Sequence, residues 1–188
     1  MADRARRLAG ASPTLQLGAV FLLFFALQSL VGPRPLALAW PPRPWTPVTS
    51  VYTHGSASHL LGNLLALALV GFPLERLTTR LRFHGFVLAT GATAGLVEVL
   101  VGAALGRPTA VLGASGAVLA LYGYVLAGNR LTGTLVGRFD PGPRARLVVY
   151  GAVAAAVALL TAGPGVAVVA HVAGFLLGAL AGRAGLLS

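Results

Sequence analysis

Four side chains able to do acyl-transfer chemistry are spread along the chain: His59, Asn63, Ser115 and His171. Ser115 lies in the string VLGASGAVLA (residues 111–120), a hydroxyl between Gly113 and Gly116 in an otherwise apolar run. A serine that attacks a carbonyl needs a base to take its proton, and the imidazole of His171 is of the right kind. The oxyanion that develops needs hydrogen-bond donors. His59, the Asn63 amide and the Ser115 backbone N–H are the candidates, the last favoured by the dipole of a helix N-terminus. Gly113 and Gly116 carry no Cβ and would let a substrate backbone come close. Taken singly, each signal is weak. GASG is more often a turn or a packing surface, a histidine at a helix start is more often interfacial, and an asparagine in a membrane helix can simply bridge to a neighbour.

The composition decides what kind of elements carry these residues. Hydrophobic residues make up 56% of the 188 and charged residues only 10%, with a mean hydropathy of +0.83. A soluble domain carries about 25% charged residues, so this chain has too few to cover a water-facing surface. Recurrent long apolar stretches point to an all-α polytopic membrane protein that uses nearly all of its length in one bundle. The net charge is +10, and the 14 basic residues are all arginine. They sit in short gaps between apolar runs, as topology signals do, and not on a basic or aromatic-lined face, so nucleic-acid binding is excluded. The absence of cysteine removes disulfides, thiolate metal sites and cysteine catalysis together.

Six apolar runs follow one another: Leu15–Val31, Ser58–Leu77, Phe83–Leu105, Ser115–Gly128, Leu147–Ala162 and Val166–Leu187. They place a short cytoplasmic tail at 1–14 and a six-helix membrane domain at 15–188. Between the first two runs lies a proline-rich loop with Trp40 and Trp45, residues suited to the headgroup region. Arginines in alternate gaps are unequal. Arg4, Arg6, Arg7, Arg76, Arg80, Arg82, Arg130, Arg138, Arg144, Arg146 and Arg183 fall on one side, and only Arg34, Arg43 and Arg107 on the other. The positive-inside rule therefore puts both termini in the cytoplasm. The basic start, the first apolar run and Ala37-Leu38-Ala39 imitate a signal peptide. That run is longer than the usual 7–15 residues or so, and cleavage would leave five spans, so it is read as a true span.

This topology brings the four candidates to one depth. The second, fourth and sixth spans all begin on the outer side, with His59 and Asn63, Ser115 and His171 near their starts. Polar groups in hydrocarbon are costly unless paired or hydrated, so their coincidence suggests a shared wet cavity. The spacing of four puts His59 and Asn63 on one helical face. Gly174, Gly178 and Gly182 form a smooth stripe on the sixth span, suited to close packing against the fourth; that packing would carry His171 to Ser115. Rival chemistries lack residues. The only aspartates, Asp3 and Asp140, lie in cytoplasmic segments. No HExxH is present. A metal centre of His54, His59 and His171 stays open, although the five-residue separation of the first two suits one helical face poorly. A transporter or channel reading lacks broken-helix repeats. Glu98, in the outer part of the third span, has two readings, a group facing the hydrated cavity or an interfacial carboxylate just outside the hydrocarbon, of which the second is favoured.

At HGSASHLLGN (54–63), LER (74–76), GASGAV (113–118) and HVAGFLLG (171–178) the chain resembles the rhomboid family of intramembrane serine proteases. The resemblance implies a six-helix bundle in which Ser115 is the nucleophile, His171 its base, and His59 and Asn63 assist the oxyanion. It implies that His54 and Glu75 are framework residues, Glu75 capping or bracing the inner loops, and that no metal or cofactor is needed. Substrates would be single-span membrane proteins cut near the outer face of the plasma membrane. Two positions depart from the family pattern. Thr46 follows Trp45 where an arginine is usual, and Leu119 stands one turn after the serine where many members have a tyrosine; Tyr122 lies one turn deeper. The competing expectation is a non-catalytic rhomboid-like protein that binds or sorts membrane clients.

Overall fold

The computed structural model describes residues 12–128 and 165–187, with scattered positions between 142 and 156. The N-terminal tail to residue 11 and the arginines at 130, 138, 144 and 146 lie outside the described residues, as does most of the expected fifth span, Leu147–Ala162. Helix α1 runs Pro13–Val31. Its start is written in the sequence: Ser12 caps the Leu15 N–H, and Pro13 occupies the first helical position, where a missing N–H costs nothing. Leu17, Phe21 and Gln28 form its buried face, while Leu22, Leu23 and Leu30 are exposed. An apolar outer face of this kind suits lipid, not water.

The loop after α1 is more ordered than its prolines suggest. It contains strand β1 (Leu38–Ala39) and helix α2 (Thr46–Tyr52). Pro47 sits in the first turn of α2, a position that tolerates proline, so it helps start a helix there. Strand β1 pairs antiparallel with β2 (Ala110–Val111), Leu38 opposite Val111. That two-strand clip ties the loop to the segment that leads into Ser115.

Helix α3 (Ala57–Leu74) is capped by the Ser56 hydroxyl, which accepts the His59 N–H, and passes into a 3-10 turn at Glu75–Leu77. Helix α4 follows at Arg80–Ala104, then α5 at Ser115–Ala127 and α6 at Val168–Ala184. Among the described residues, three segments are long and apolar enough to cross a membrane: α1, Ala57–Leu77 and α4. Helix α5 has 13 residues, about 20 Å at 1.5 Å per residue, against a hydrocarbon core of about 30 Å. It is the centre of the bundle, with Gly116, Ala117, Ala120, Leu121, Gly123 and Tyr124 all buried.

Glycine brings α5 and α6 together. A Cβ at Gly174 would fall on the Gly116 carbonyl, one at Gly178 on the Ala120 carbonyl, and one at Gly182 on the Tyr124 carbonyl. Gly123 answers from α5, where a Cβ would strike the Phe175 carbonyl. Backbones at this separation gain dispersion contacts along their whole shared length.

Gly178→Val should therefore destabilise the detergent-solubilised protein by the ~1–3 kcal/mol typical of overpacking or more, read as a lower thermal midpoint. Gly85→Ala, at a site with nothing within 4 Å, should leave it unchanged or slightly raised. Equal midpoints for Gly178→Val and the parent would refute the close approach.

Candidate active site

Ser115 opens α5, and the chain reaches it through a turn that glycine makes possible. Gly113 has φ +118°, a conformation that side-chain-bearing residues rarely adopt. A Cβ there would lie 2.5 Å from His59 Cε1, so the glycine is also what admits the His59 ring. The Gly113 N–H donates to the Ser50 carbonyl at 2.8 Å, fixing the turn to α2. The first intrahelical bond of α5 is made by Val118 N–H to Ala114 O. The N–H groups of Ser115, Gly116 and Ala117 thus have no acceptor within the helix, as at any helix N-terminus.

Ser115 Oγ and His171 Nε2 are 2.8 Å apart, a hydrogen bond between residues 56 positions distant. His171 is on the first turn of α6 and largely buried. Both face a cavity of about 990 Å³ that His59, Asn63, Glu98 and Tyr122 also line. The four chemically capable residues of the sequence are therefore gathered around one space. The Asn63 amide donates to the His59 carbonyl at 2.9 Å; an amide has two N–H donors, so one such bond does not exhaust it. Leu119 lines the cavity, and Tyr122 beyond it donates its hydroxyl to the Ala66 carbonyl at 3.1 Å.

The framework residues take clear positions. Glu75 Oε2 accepts from the Ser12 hydroxyl at 2.8 Å and the Thr14 N–H at 3.0 Å, so it closes the N-terminus of α1. His54 is wholly buried, its ring 5.1 Å from that of Phe21 and edge-on to His59 at 5.3 Å. Its backbone is gripped by Gln28 of α1, which accepts the His54 N–H and donates to the His54 carbonyl. Gln28 was not among the sequence candidates; a glutamine inside an apolar run was the available sign. Beside Trp45, the Arg43 guanidinium lies 6.0 Å from the ring centroid.

Glu98 departs from the sequence reading. It is not an interfacial group outside the bundle: it lines the cavity, and its Oε2 accepts the Ala170 N–H at 2.8 Å. No group of three or more metal-capable side chains occurs among the described residues, so His54, His59 and His171 do not converge as ligands.

The fold and site define a helical membrane protein with a serine–histidine pair facing a cavity between its helices. A family model for the rhomboid domain matches residues 41–187, most of the chain. The chain belongs to the rhomboid family, whose members are commonly intramembrane proteases and include inactive forms. Comparison with curated proteins returned no match.

His54 makes the site's surroundings sensitive to acid. Burial, above all, holds this imidazole well below its ordinary 6.5, down to about 4; His59 adds to the shift, and the Tyr52 carbonyl opposes it. A lowered value means that the fold favours the neutral ring. Its contribution is complete above about pH 6.5 and is lost as pH falls toward 4. The thermal midpoint should drop between pH 7 and pH 4.5, and less steeply in His54→Gln. Parallel slopes would remove His54 as a source of the acid sensitivity.

Proposed function

We propose that this protein is an intramembrane serine endopeptidase that cuts transmembrane segments of single-span membrane proteins near the outer face of the plasma membrane. The observation that carries the reading is the 2.8 Å Ser115–His171 hydrogen bond facing a cavity that His59 and Asn63 also line, in a chain of the rhomboid family. We further propose six spans over 15–188, with the tail at 1–14 and both termini cytoplasmic, from the arginine distribution.

In this mechanism His171 Nε2 takes the Ser115 proton as Oγ attacks the scissile carbonyl. The tetrahedral oxyanion is held by the Ser115 N–H, with His59 and Asn63 as further donors. His171 then returns the proton to the leaving amine, and a water activated by the same imidazole hydrolyses the acyl-enzyme. No cofactor enters these steps. The scissile peptide must leave its helical hydrogen bonds to reach Ser115, so helix-breaking residues near the cut favour cleavage. His54 and Glu75 act as framework, and Gly113, Gly116, Gly174 and Gly178 as the surfaces that permit the approach.

A fluorophosphonate probe should label the detergent-solubilised protein and fail to label Ser115→Ala or His171→Ala. His59→Ala and Asn63→Ala should each lower turnover of a transmembrane substrate, by up to about 10²–10³-fold for a true oxyanion donor. Labelling that survives Ser115→Ala would defeat the proposed nucleophile. A folded protein that neither labels nor cleaves would instead favour a client-binding member of the family.

A further inference from the structure

We infer that Glu98 is a positioning residue for the general base: from α4, its carboxylate fixes the first turn of α6 and thereby the place of His171. This rests on the protease reading above. Helix α6 begins with Val168, Val169 and Ala170; its N-cap, Ala167, makes no side-chain capping bond, and its first turn has no acid of its own. The first N–H groups of any helix need acceptors from elsewhere. Here the acceptor for Ala170 comes from 72 residues away, Glu98 Oε2 at 2.8 Å. A carboxylate at this end also meets the positive end of the helix dipole.

The placement matters because His171 precedes the glycines of its own helix. The stripe that seats α6 on α5 starts at Gly174, and His171 lies three residues before it, toward the open end. Glu98 grips the N–H of Ala170, the residue next to His171, while Gly116 of α5 faces the Ala170 carbonyl, which a Cβ there would meet at 3.4 Å. Its own backbone is firmly held: neighbouring Val99 is fully buried in a cluster with Leu38 and Val111, against which Ala167 packs. Cap, strand clip and helix start thus form one unit around the His171 backbone. A hydrogen bond weakens steeply as its geometry departs from ideal. A misplacement of about 1 Å can cost about 10²-fold in rate.

The test measures kcat and KM in proteoliposomes with a transmembrane substrate, per active site titrated with a fluorophosphonate. Glu98→Ala removes the acceptor and should lower kcat by about tenfold or more, with KM within about twofold. Glu98→Gln keeps an acceptor at the same reach and should recover kcat to within about threefold. Should Glu98→Ala not accumulate as folded protein, Glu98→Asp takes its place; one methylene too short, it should lose kcat in the same way. An unchanged kcat per titrated site in Glu98→Ala or Glu98→Asp would overturn the inference. So would a rise in KM alone, which would mean substrate recognition, or a Glu98→Gln loss as deep as that of Glu98→Ala. Those results, with an active parent, leave the protease reading standing; a parent that neither labels nor cleaves defeats both.

Discussion

The contact on which the rest depends is the backbone-to-backbone seat of α6 on α5. Ser115 and His171 belong to different helices, and the bond between them is 2.8 Å long. In lipid, apolar side chains gain little by leaving their surroundings, so helices associate through close packing and polar bonds. Glycine at 174, 178 and 182 on one side and at 116 and 123 on the other removes the side chains that would hold the two backbones apart. The serine–histidine pair is a consequence of that distance. The Ser115–His171 contact at one end and the packing along the shared length are one design.

Polar groups inside this bundle are answered one by one, and often by a distant helix. Among the described residues the two acids, Glu75 and Glu98, do the same job at opposite places. Each accepts a backbone N–H in the first turn of another helix, Glu75 for α1 and Glu98 for α6. Gln28 does the equivalent for a loop, taking both the N–H and the carbonyl of His54. Unsatisfied backbone groups are most costly where water is scarce, which explains why a chain so poor in polar side chains spends these three on main-chain atoms. The His54 ring then stands edge-on against His59, and His59 lies against the Gly113 turn. A path of contacts runs from α1 to the turn before Ser115.

Much of this was legible in the residues. The long helices follow from apolar length, and the shared face of His59 and Asn63 from a spacing of four. The glycine stripe was visible as a period of four. Three features were not. Helix α2 was hidden by its prolines, since Pro47 reads as a breaker unless its place in the first turn is known. Gln28 stood out only as an oddity in an apolar run, because its partner is a backbone 26 residues away. Glu98 was read as interfacial, because depth along a helix does not say which way a side chain faces.

By itself, then, the sequence determined the medium, the long apolar helices and the residue types gathered at the site, because these follow from composition and local periodicity. Only the tertiary structure decided which of them touch. The rotation of α4 that turns Glu98 into the cavity, the seat of α6 on α5 and the turn at Gly113 that admits His59 are all set by packing between segments far apart in the chain. One helix cannot encode where another's backbone lies. That distance decides whether Ser115 is a packing residue or a hydroxyl in hydrogen-bonding contact with an imidazole.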